Sequence, residues 1–362
     1  MINLPSIDIT FKQLAASLIE RSERGIAILI VKDDTNKTFP FKEYKNVTAV
    51  DTDKSKYTAA NYQYIKDIFN FALNKVIVVR IDKTGGLIAD ALATVEKNIK
   101  TGWITIADGT AEEFATLASW IKSKELARKT YKAVAYKATA PDCRHIVNFY
   151  NDNVTFADSR GEVTGEKYCP SLIGILASCN VDKGATYFEC ANLTHVTEVA
   201  SNETAVGEGK FILVNDVDTV KIALSINSLT TTDGNTATED MKYIDTVEAM
   251  DLINDDISQT FKDEYLGAYK NNYDNQVLFI SSVNTYYKEL AKNYILDNNY
   301  PNKSDVDVES QRAAWVGTGK TEAETWTDQQ VKNNAFKRTV FLGGDIKLLG
   351  AMENLKFGIN LA

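Results

Sequence analysis

From residue 25 to residue 149 the chain alternates short apolar runs with segments of helical periodicity. The apolar runs predict strands at 26–31, 76–81, 103–107, 132–136 and 145–149. Apolar residues at helical spacing predict helices over 61–73 and 87–97, and Thr110 with Glu113 forms a capping-box signature at the start of a third. Alternation of this kind predicts an α/β fold with a mostly parallel sheet flanked by helices on both faces.

The rest of the chain has a different pattern. Short strand-like segments at 150–235 predict a β-rich middle section, and Ile244 to Phe261 and Val277 to Tyr294 predict two long amphipathic helices. The chain as a whole is therefore α+β, with a C-terminal helical or α+β domain. The predicted organisation is a terminal arm, an α/β core, the middle section, a C-terminal domain and a second arm, at 1–22, 23–149, 150–235, 236–345 and 346–362.

Both ends of the chain alternate apolar and polar residues with period two, which is typical of a strand with one buried face. The apolar positions of these two strands are Ile7, Ile9, Phe11, Leu355, Phe357, Ile359 and Leu361.

Neither terminal strand is expected to be ordered alone. Burial of the four apolar residues from Leu355 to Leu361 contributes roughly 6–12 kcal/mol. Ordering seven backbone residues costs a similar sum of roughly 7–14 kcal/mol. Hydrogen bonds to another sheet are therefore needed to make the ordered strand favourable. That sheet lies either in the same chain or in a neighbouring copy. Strand addition between copies, repeated head to tail, produces closed rings or a helical filament.

Charge changes this picture little. The net charge is −9, with acidic and basic residues interleaved, and no basic stripe indicates nucleic acid as a partner. The hydrophobic fraction of 44% is ordinary for a folded chain.

Several features indicate where the protein is made. The first residues contain no basic region followed by an apolar run, so no secretory signal is expected. The longest apolar run, Ile26 to Val31, is far too short for a membrane span, so no membrane insertion is predicted. Four dispersed cysteines, Cys143, Cys169, Cys179 and Cys190, are expected to be buried free thiols in a reducing compartment. These features predict assembly in the cytoplasm.

Motifs for chemistry are sparse. The segment from Ala314 to Thr321 fits a relaxed phosphate-loop pattern, but a polar helix start precedes it where a phosphate loop needs a buried strand. The alternative interpretation is an α/β nucleotide-binding enzyme that uses the Gly319-Lys320-Thr321 loop; a connecting loop between helices is the interpretation we favour. His145 and His195 are the only histidines, and Cys143 with His145 is read as a packed core pair. No catalytic residue, metal site or cofactor is predicted.

Three segments together resemble the tail sheath proteins of contractile phages and phage-tail-like bacteriocins, of the short type found in Gram-positive hosts. Residues 4–11 with 24–27 resemble that family's N-terminal arm and first core strand. Val247 to Ile257, continuing through Tyr265-Leu266-Gly267 to Asn275, is similar to the C-terminal domain signature, although Ala268 stands where the family would have lysine. Residues 351–357 resemble the closing strand.

The resemblance implies a structural subunit and not an enzyme. Sheath subunits stack as six-fold rings around an inner tail tube, both terminal arms donate strands to a small sheet in an adjacent subunit, and contraction drives the tube through a target cell envelope. The implied partners are other copies of the chain, the tube protein, and baseplate and tail terminator proteins, in a virion tail or a released bacteriocin particle. A non-polymerising baseplate or adaptor protein is a further alternative.

The resemblance also places the C-terminal domain against the tube. Four carboxylates on the first long helix are expected to form a solvated acidic face that contacts it: Glu248, Asp251, Asp255 and Asp256.

Overall fold

A computed structural model describes residues 18–181 and 183–360 of the chain. They form two compact units, one of residues 22–252 with 350–360 and the other of residues 18–21 with 253–349. The segments predicted as the α/β core and the middle section lie in the same unit.

The described residues form fourteen strands. In chain order they are β1 (Ile26–Lys32), β2 (Phe41–Tyr44), β3 (Lys75–Ile81), β4 (Thr101–Ile106), β5 (Thr130–Tyr136), β6 (Ile146–Phe149), β7 (Asn153–Phe156), β8 (Glu162–Thr164), β9 (Leu193–Val196), β10 (Lys210–Phe211), β11 (Leu213–Asp216), β12 (Thr219–Ile222), β13 (Lys303–Val306) and β14 (Leu342–Asp345).

The same residues form ten α-helices. They are α1 (Val47–Thr52), α2 (Ala59–Ile68), α3 (Ile88–Asn98), α4 (Ala111–Leu126), α5 (Cys169–Cys179), α6 (Asn202–Gly207), α7 (Ile244–Thr260), α8 (Tyr273–Lys292), α9 (Val308–Val316) and α10 (Asp328–Asn333). Short 3-10 helices lie at Lys54–Lys56, Gly165–Tyr168, Glu239–Lys242 and Thr321–Thr325, and a π-helix lies at Phe261–Tyr265.

The first unit is built on a seven-stranded sheet in the order β10-β6-β5-β4-β1-β3-β2. All neighbouring pairs are parallel except β2 with β3. Helices α2 and α5 pack on each other and on β1, whereas α3 and α4 pack together and contact β3 and β5. The sheet is thus covered by helices, and its central strands are buried almost throughout. This confirms the predicted mostly parallel sheet with flanking helices.

Two details of this sheet differ from the predicted alternation. The edge strand β2 runs antiparallel and was not predicted. Strands β5 and β6 are parallel neighbours, but residues 137–145 join them without a helix. This loop is held by Asn148, whose side chain accepts from the backbone N–H of Ala138 at 2.8 Å and donates to the Ala138 carbonyl at 3.0 Å.

The middle section contributes β10 to the large sheet, a three-stranded sheet in the order β8-β7-β9, and the hairpin of β11 and β12. Residues 157–161 join β7 and β8 as an antiparallel hairpin. Helix α5 is buried along its length and packs on both the sheet and α2.

The second unit contains α8 to α10, the C-terminal part of α7, and a two-stranded antiparallel sheet of β13 and β14. The rings of Phe261, Tyr265 and Phe279 pack together with centroids 4.7–6.5 Å apart. In the described part of the chain, no helix is both long and apolar enough to cross a membrane.

Candidate assembly site at the C-terminal arm

Residues 350–360, here called the C-terminal arm, extend from the first unit without regular secondary structure. The side chains of Leu355, Phe357 and Ile359 are 87%, 77% and 71% exposed. Among the described residues, none forms a backbone hydrogen bond with residues 354–360. The predicted strand therefore does not form within these parts of one copy, and its apolar side chains stand in solvent.

Two polar contacts hold the root of the arm to its own unit. The backbone N–H of Ala351 donates to Asp245 Oδ2 at 3.1 Å, and Thr186 Oγ1 donates to Glu353 Oε1 at 2.5 Å. The contacts end at Glu353, so the exposed strand pattern begins directly after the last anchored residue. This geometry fixes where the arm leaves the subunit and leaves its distal part available to another chain.

The other predicted arm residues cannot be placed. Ile7, Ile9, Phe11 and Leu361 lie outside the described residues, and their proposed pairing stays a prediction.

The predicted acidic face on α7 is wrong for three of its four residues. Glu248, Asp251 and Asp256 are buried, and only Asp255 is half-buried. Asp256 accepts a hydrogen bond from the hydroxyl of Tyr286 at 2.6 Å. The carboxylates face the interior because the fold supplies donors for them there, which a buried charge requires.

Glu248 and Asp251 belong to a buried charge cluster with Lys132, His145 and Glu125. Lys132 Nζ lies 3.2 Å from Glu248 Oε2 and 3.1 Å from Asp251 Oδ2. His145 Nε2 is 3.0 Å from Asp251 Oδ1, and His145 Nδ1 is 3.0 Å from Glu125 Oε2. Both imidazole nitrogens therefore face carboxylate oxygens and both donate, so the ring is doubly protonated.

Further contacts surround this cluster. Trp103 Nε1 donates to Glu248 Oε1 at 2.7 Å, and the Lys132 ammonium lies 5.6 Å from the Trp103 ring centre. The cluster thus ties α7 to β4, β5 and the residue before β6. Sequence reasoning missed Lys132 and Glu125; the signal was a lysine inside an otherwise apolar strand, which demands an acidic partner.

The pKa values follow from this arrangement. Burial alone would lower the pKa of His145, but the charges and hydrogen bonds of Asp251 and Glu125 outweigh burial and raise it to about 9. Burial alone would raise the pKa of Asp251, but His145 and Lys132 hold it well below its usual range. Burial also raises the pKa of the Cys143 thiol, whose Sγ donates to Glu125 at 2.9 Å. An inert thiol beside an ion-paired histidine agrees with the predicted packed pair of Cys143 and His145.

Comparison with known proteins finds similarity to phage tail sheath proteins. The family described as phage tail sheath C-terminal domain matches residues 236–362. A tail sheath protein of Clostridium phage phiCD119 is 29% identical over 370 residues and covers 100% of both chains. The C-terminal third of the chain thus matches a phage tail sheath domain, and the chain as a whole is similar to a phage tail sheath protein. The similarity to the phage protein extends beyond the C-terminal domain to the rest of the chain.

Solved structures of sheath proteins share the fold. The sheath tail protein from Desulfitobacterium hafniense aligns with a TM-score of 0.69 at 16% identity, over 83% of this chain and 94% of that one. The helical sheath of the anti-feeding prophage in its contracted state aligns with a TM-score of 0.69 at 12% identity, over 100% of this chain and 99% of that one.

The segment that fits a relaxed phosphate-loop pattern lacks the structural context that a phosphate loop requires. Helix α9 precedes it, where a phosphate loop follows a strand. Lys320 Nζ lies 5.0 Å and 4.8 Å from the ring centres of Trp315 and Trp326, and 3.6 Å from Glu322. The lysine is thus engaged by aromatic rings of its own unit, in a connection between two helices.

The four cysteines of this chain are buried and free, as the sequence predicted.

The buried charge cluster predicts that the stability of the folded chain depends on pH. The pKa of His145 is raised above its unfolded value of 6.5, so its contribution is complete below pH 6.5 and is lost as pH rises through about 9. We expect the free energy of unfolding to fall by roughly 2–3 kcal/mol from this group between about pH 7 and pH 10. The measurement is urea denaturation of the unassembled subunit at a series of pH values.

The chain supplies the matched control for this measurement. His145→Gln should remove the histidine-dependent part of the slope, whereas His195→Gln, at an exposed position on β9, should keep it. Equal slopes for wild type and His145→Gln would contradict the assigned charge state.

Proposed function

We propose that this chain is the subunit of a contractile sheath that polymerises as stacked six-fold rings around an inner tail tube and shortens to drive the tube through a cell envelope. The observation that carries the proposal is the C-terminal arm, which exposes Leu355, Phe357 and Ile359 at alternate positions of a segment without regular secondary structure. Exposed alternating apolar residues on unpaired backbone are suited to joining a sheet of another molecule.

A candidate sheet for this pairing exists in the second unit. The sheet of β13 and β14 has only two strands in the described part of the chain. Strands donated by neighbouring copies, the C-terminal arm and the N-terminal segment with Ile7, Ile9 and Phe11, would enlarge it. Each subunit would then both give and receive strands, and such a heterologous contact propagates along a helical lattice.

The same arrangement supports contraction. The root of the arm is held at Ala351 and Glu353, and the following residues are free to change direction between subunit and strand. Subunits can therefore rotate as near-rigid bodies while the strand hydrogen bonds persist. The energy is stored in the extended lattice, so no nucleotide is required, and the proposed role is structural and not enzymatic.

The proposed partners are other copies of the chain, the inner tube, and baseplate and terminator proteins. Assembly takes place in the bacterial cytoplasm, in a phage tail or a bacteriocin particle. Of the predicted tube contacts, we retain only Asp255, because the other three carboxylates are buried.

Negative-stain electron microscopy of the purified chain tests this function. We expect tubes or sleeves of regular width at concentrations where sheath lattices form. Discrete oligomers without tubes would favour a baseplate or adaptor protein instead, and a monomer at every concentration would contradict the proposal.

A further inference from the structure

An aromatic pocket lies at the surface of the second unit. The rings of Phe261, Tyr265 and Phe279, which pack together, line it, and so does the exposed side chain of Leu266. The volume of the pocket is about 100 Å³. An apolar cavity of about 150 Å³ takes a benzene ring. This smaller pocket is therefore suited to a branched aliphatic side chain and not to another aromatic ring.

Two positively charged residues line the same pocket. Lys270 and Arg338 are exposed, and no ion pair reaches either of them within the described ranges. The chain as a whole is acidic, with a net charge of −9, so two unpaired cations beside one pocket are a local exception. Contact surfaces on proteins tend to match opposite charges. The pocket therefore fits an occupant in which a small apolar group adjoins a carboxylate.

The turn between β11 and β12 has this combination. It consists of Val217 and Asp218, and the side chain of Val217 is 94% exposed. Among the large hydrophobic side chains that are exposed in the described residues, only Val217 has an acidic residue on both sides, Asp216 and Asp218. Asp216 is paired with Lys221 at 2.5 Å, whereas no ion pair reaches Asp218 in this part of the chain.

The backbone at Val217 is unfavourable for a valine. Its φ of 54° lies in the left-handed region, which β-branched residues rarely adopt and where a two-residue hairpin turn usually has glycine, asparagine or aspartate. Strained residues are concentrated at functional sites. The exposed side chain gains no packing from its own copy. Burial against another molecule would compensate for both the strain and the exposure.

We infer that the tip of the β11–β12 hairpin docks into this pocket on a second copy of the chain. Val217 enters between the aromatic rings, and Asp218 lies beside Lys270 and Arg338. Each copy carries both the tip and the pocket, so the contact is heterologous and repeats from copy to copy. The inference rests on the proposed function and adds to it a contact that uses neither terminal arm and does not involve the sheet of β13 and β14.

Val217→Gly separates this contact from the stability of the fold. Loss of the side chain should raise the concentration needed for tube assembly roughly tenfold or more, because no apolar group then enters the pocket. The folded subunit should keep roughly its wild-type stability, because glycine adopts positive φ without strain. Sedimentation measures the assembly concentration, and urea denaturation of the unassembled chain measures the stability.

Leu126→Ala is the matched control for this variant. It truncates a side chain that is 88% exposed at the end of α4, far from any acidic turn of the hairpin type, and it should assemble like the wild type. A Val217→Gly chain that assembles at the wild-type concentration overturns the inference.

Charge reversal tests whether the occupant is a second copy. The tip variant is Asp218→Lys, and the pocket variant combines Lys270→Glu with Arg338→Glu. All three residues are exposed, so both variants should fold. Each variant alone should need a higher concentration to assemble, because like charges then meet across the contact. Assembly should recover when all three changes are combined in one chain, and also when the two variants are mixed, because each tip then finds a pocket of opposite charge.

The outcomes of the charge reversal are distinct. Recovery in the combined chain without recovery in the mixture would mean that the tip and the pocket meet within one copy, which overturns the second copy as the occupant. No recovery in either sample overturns the contact itself. A wild-type chain that forms no tubes contradicts the proposed function, because every comparison starts from wild-type tubes.

Discussion

Replacement of Leu355, Phe357 and Ile359 by serine should abolish tube formation. Each of these side chains contributes roughly 1.5–3 kcal/mol when it is buried against a neighbour. Together the three side chains lose at least about 4.5 kcal/mol in each contact, which corresponds to a shift of more than about a thousandfold in the concentration needed for assembly. Sedimentation and electron microscopy at concentrations where the wild type assembles measure this loss.

The variant should remain folded, because all three side chains are already exposed in a single copy. Its unfolding midpoint and circular dichroism spectrum should match those of the wild type. Lys356→Ser and Asn354→Ser, on the other face of the same segment, are matched controls and should still assemble. If the triple variant formed tubes normally, the C-terminal arm would not be the lattice contact.

Lys132→Met should destabilise the folded subunit by about 3–5 kcal/mol. Lys132 is 1% exposed, and its ammonium is paired with both Glu248 and Asp251. Methionine fills a similar volume but leaves these carboxylates buried with less compensating charge, and Glu248 then keeps only Trp103 Nε1 among the donors described above. Chemical denaturation of the unassembled chain measures the loss.

An ion pair between lysine and glutamate at the surface provides the matched control. Lys124 Nζ lies 2.6 Å from Glu96, whose side chain is 45% exposed, and Lys124→Met should cost about 0–1 kcal/mol. Adding Glu248→Gln to Lys132→Met should restore part of the lost stability, because one uncompensated charge is removed. A loss no larger than that of Lys124→Met would mean that the buried charge cluster does not stabilise the fold.

Elements governed by local signals could be predicted from the sequence. The run Ile26 to Val31 is long and apolar, and it forms the central strand β1. Thr110 and Glu113 exchange both hydrogen bonds of the capping box that the sequence indicated. By contrast, β2 has four partly polar residues, and its identity as a strand depends on pairing with β3 rather than on its own pattern.

The sites could be predicted only where one segment carries the information. Leu355, Phe357 and Ile359 alternate within five residues, and the alternation is readable without any partner. Glu248 and Asp251 were misread as a solvated face because their partner Lys132 lies more than a hundred residues earlier. Asn284 gives no local sign of its hydrogen bonds to the backbone of Ser304, because these form only once α8 packs beside β13.

The edge strands of the seven-stranded sheet affect whether this sheet can pair with another copy of the chain. At one end β10 is only two residues long, and at the other β2 is short and carries Lys42 and Glu43. Short, charged edge strands are poor templates for pairing with a strand of another molecule. Under the proposed assembly by strand addition, the large sheets of neighbouring copies should not pair with each other. The two short edge strands would disfavour such pairing and so reduce aggregation through the large sheet.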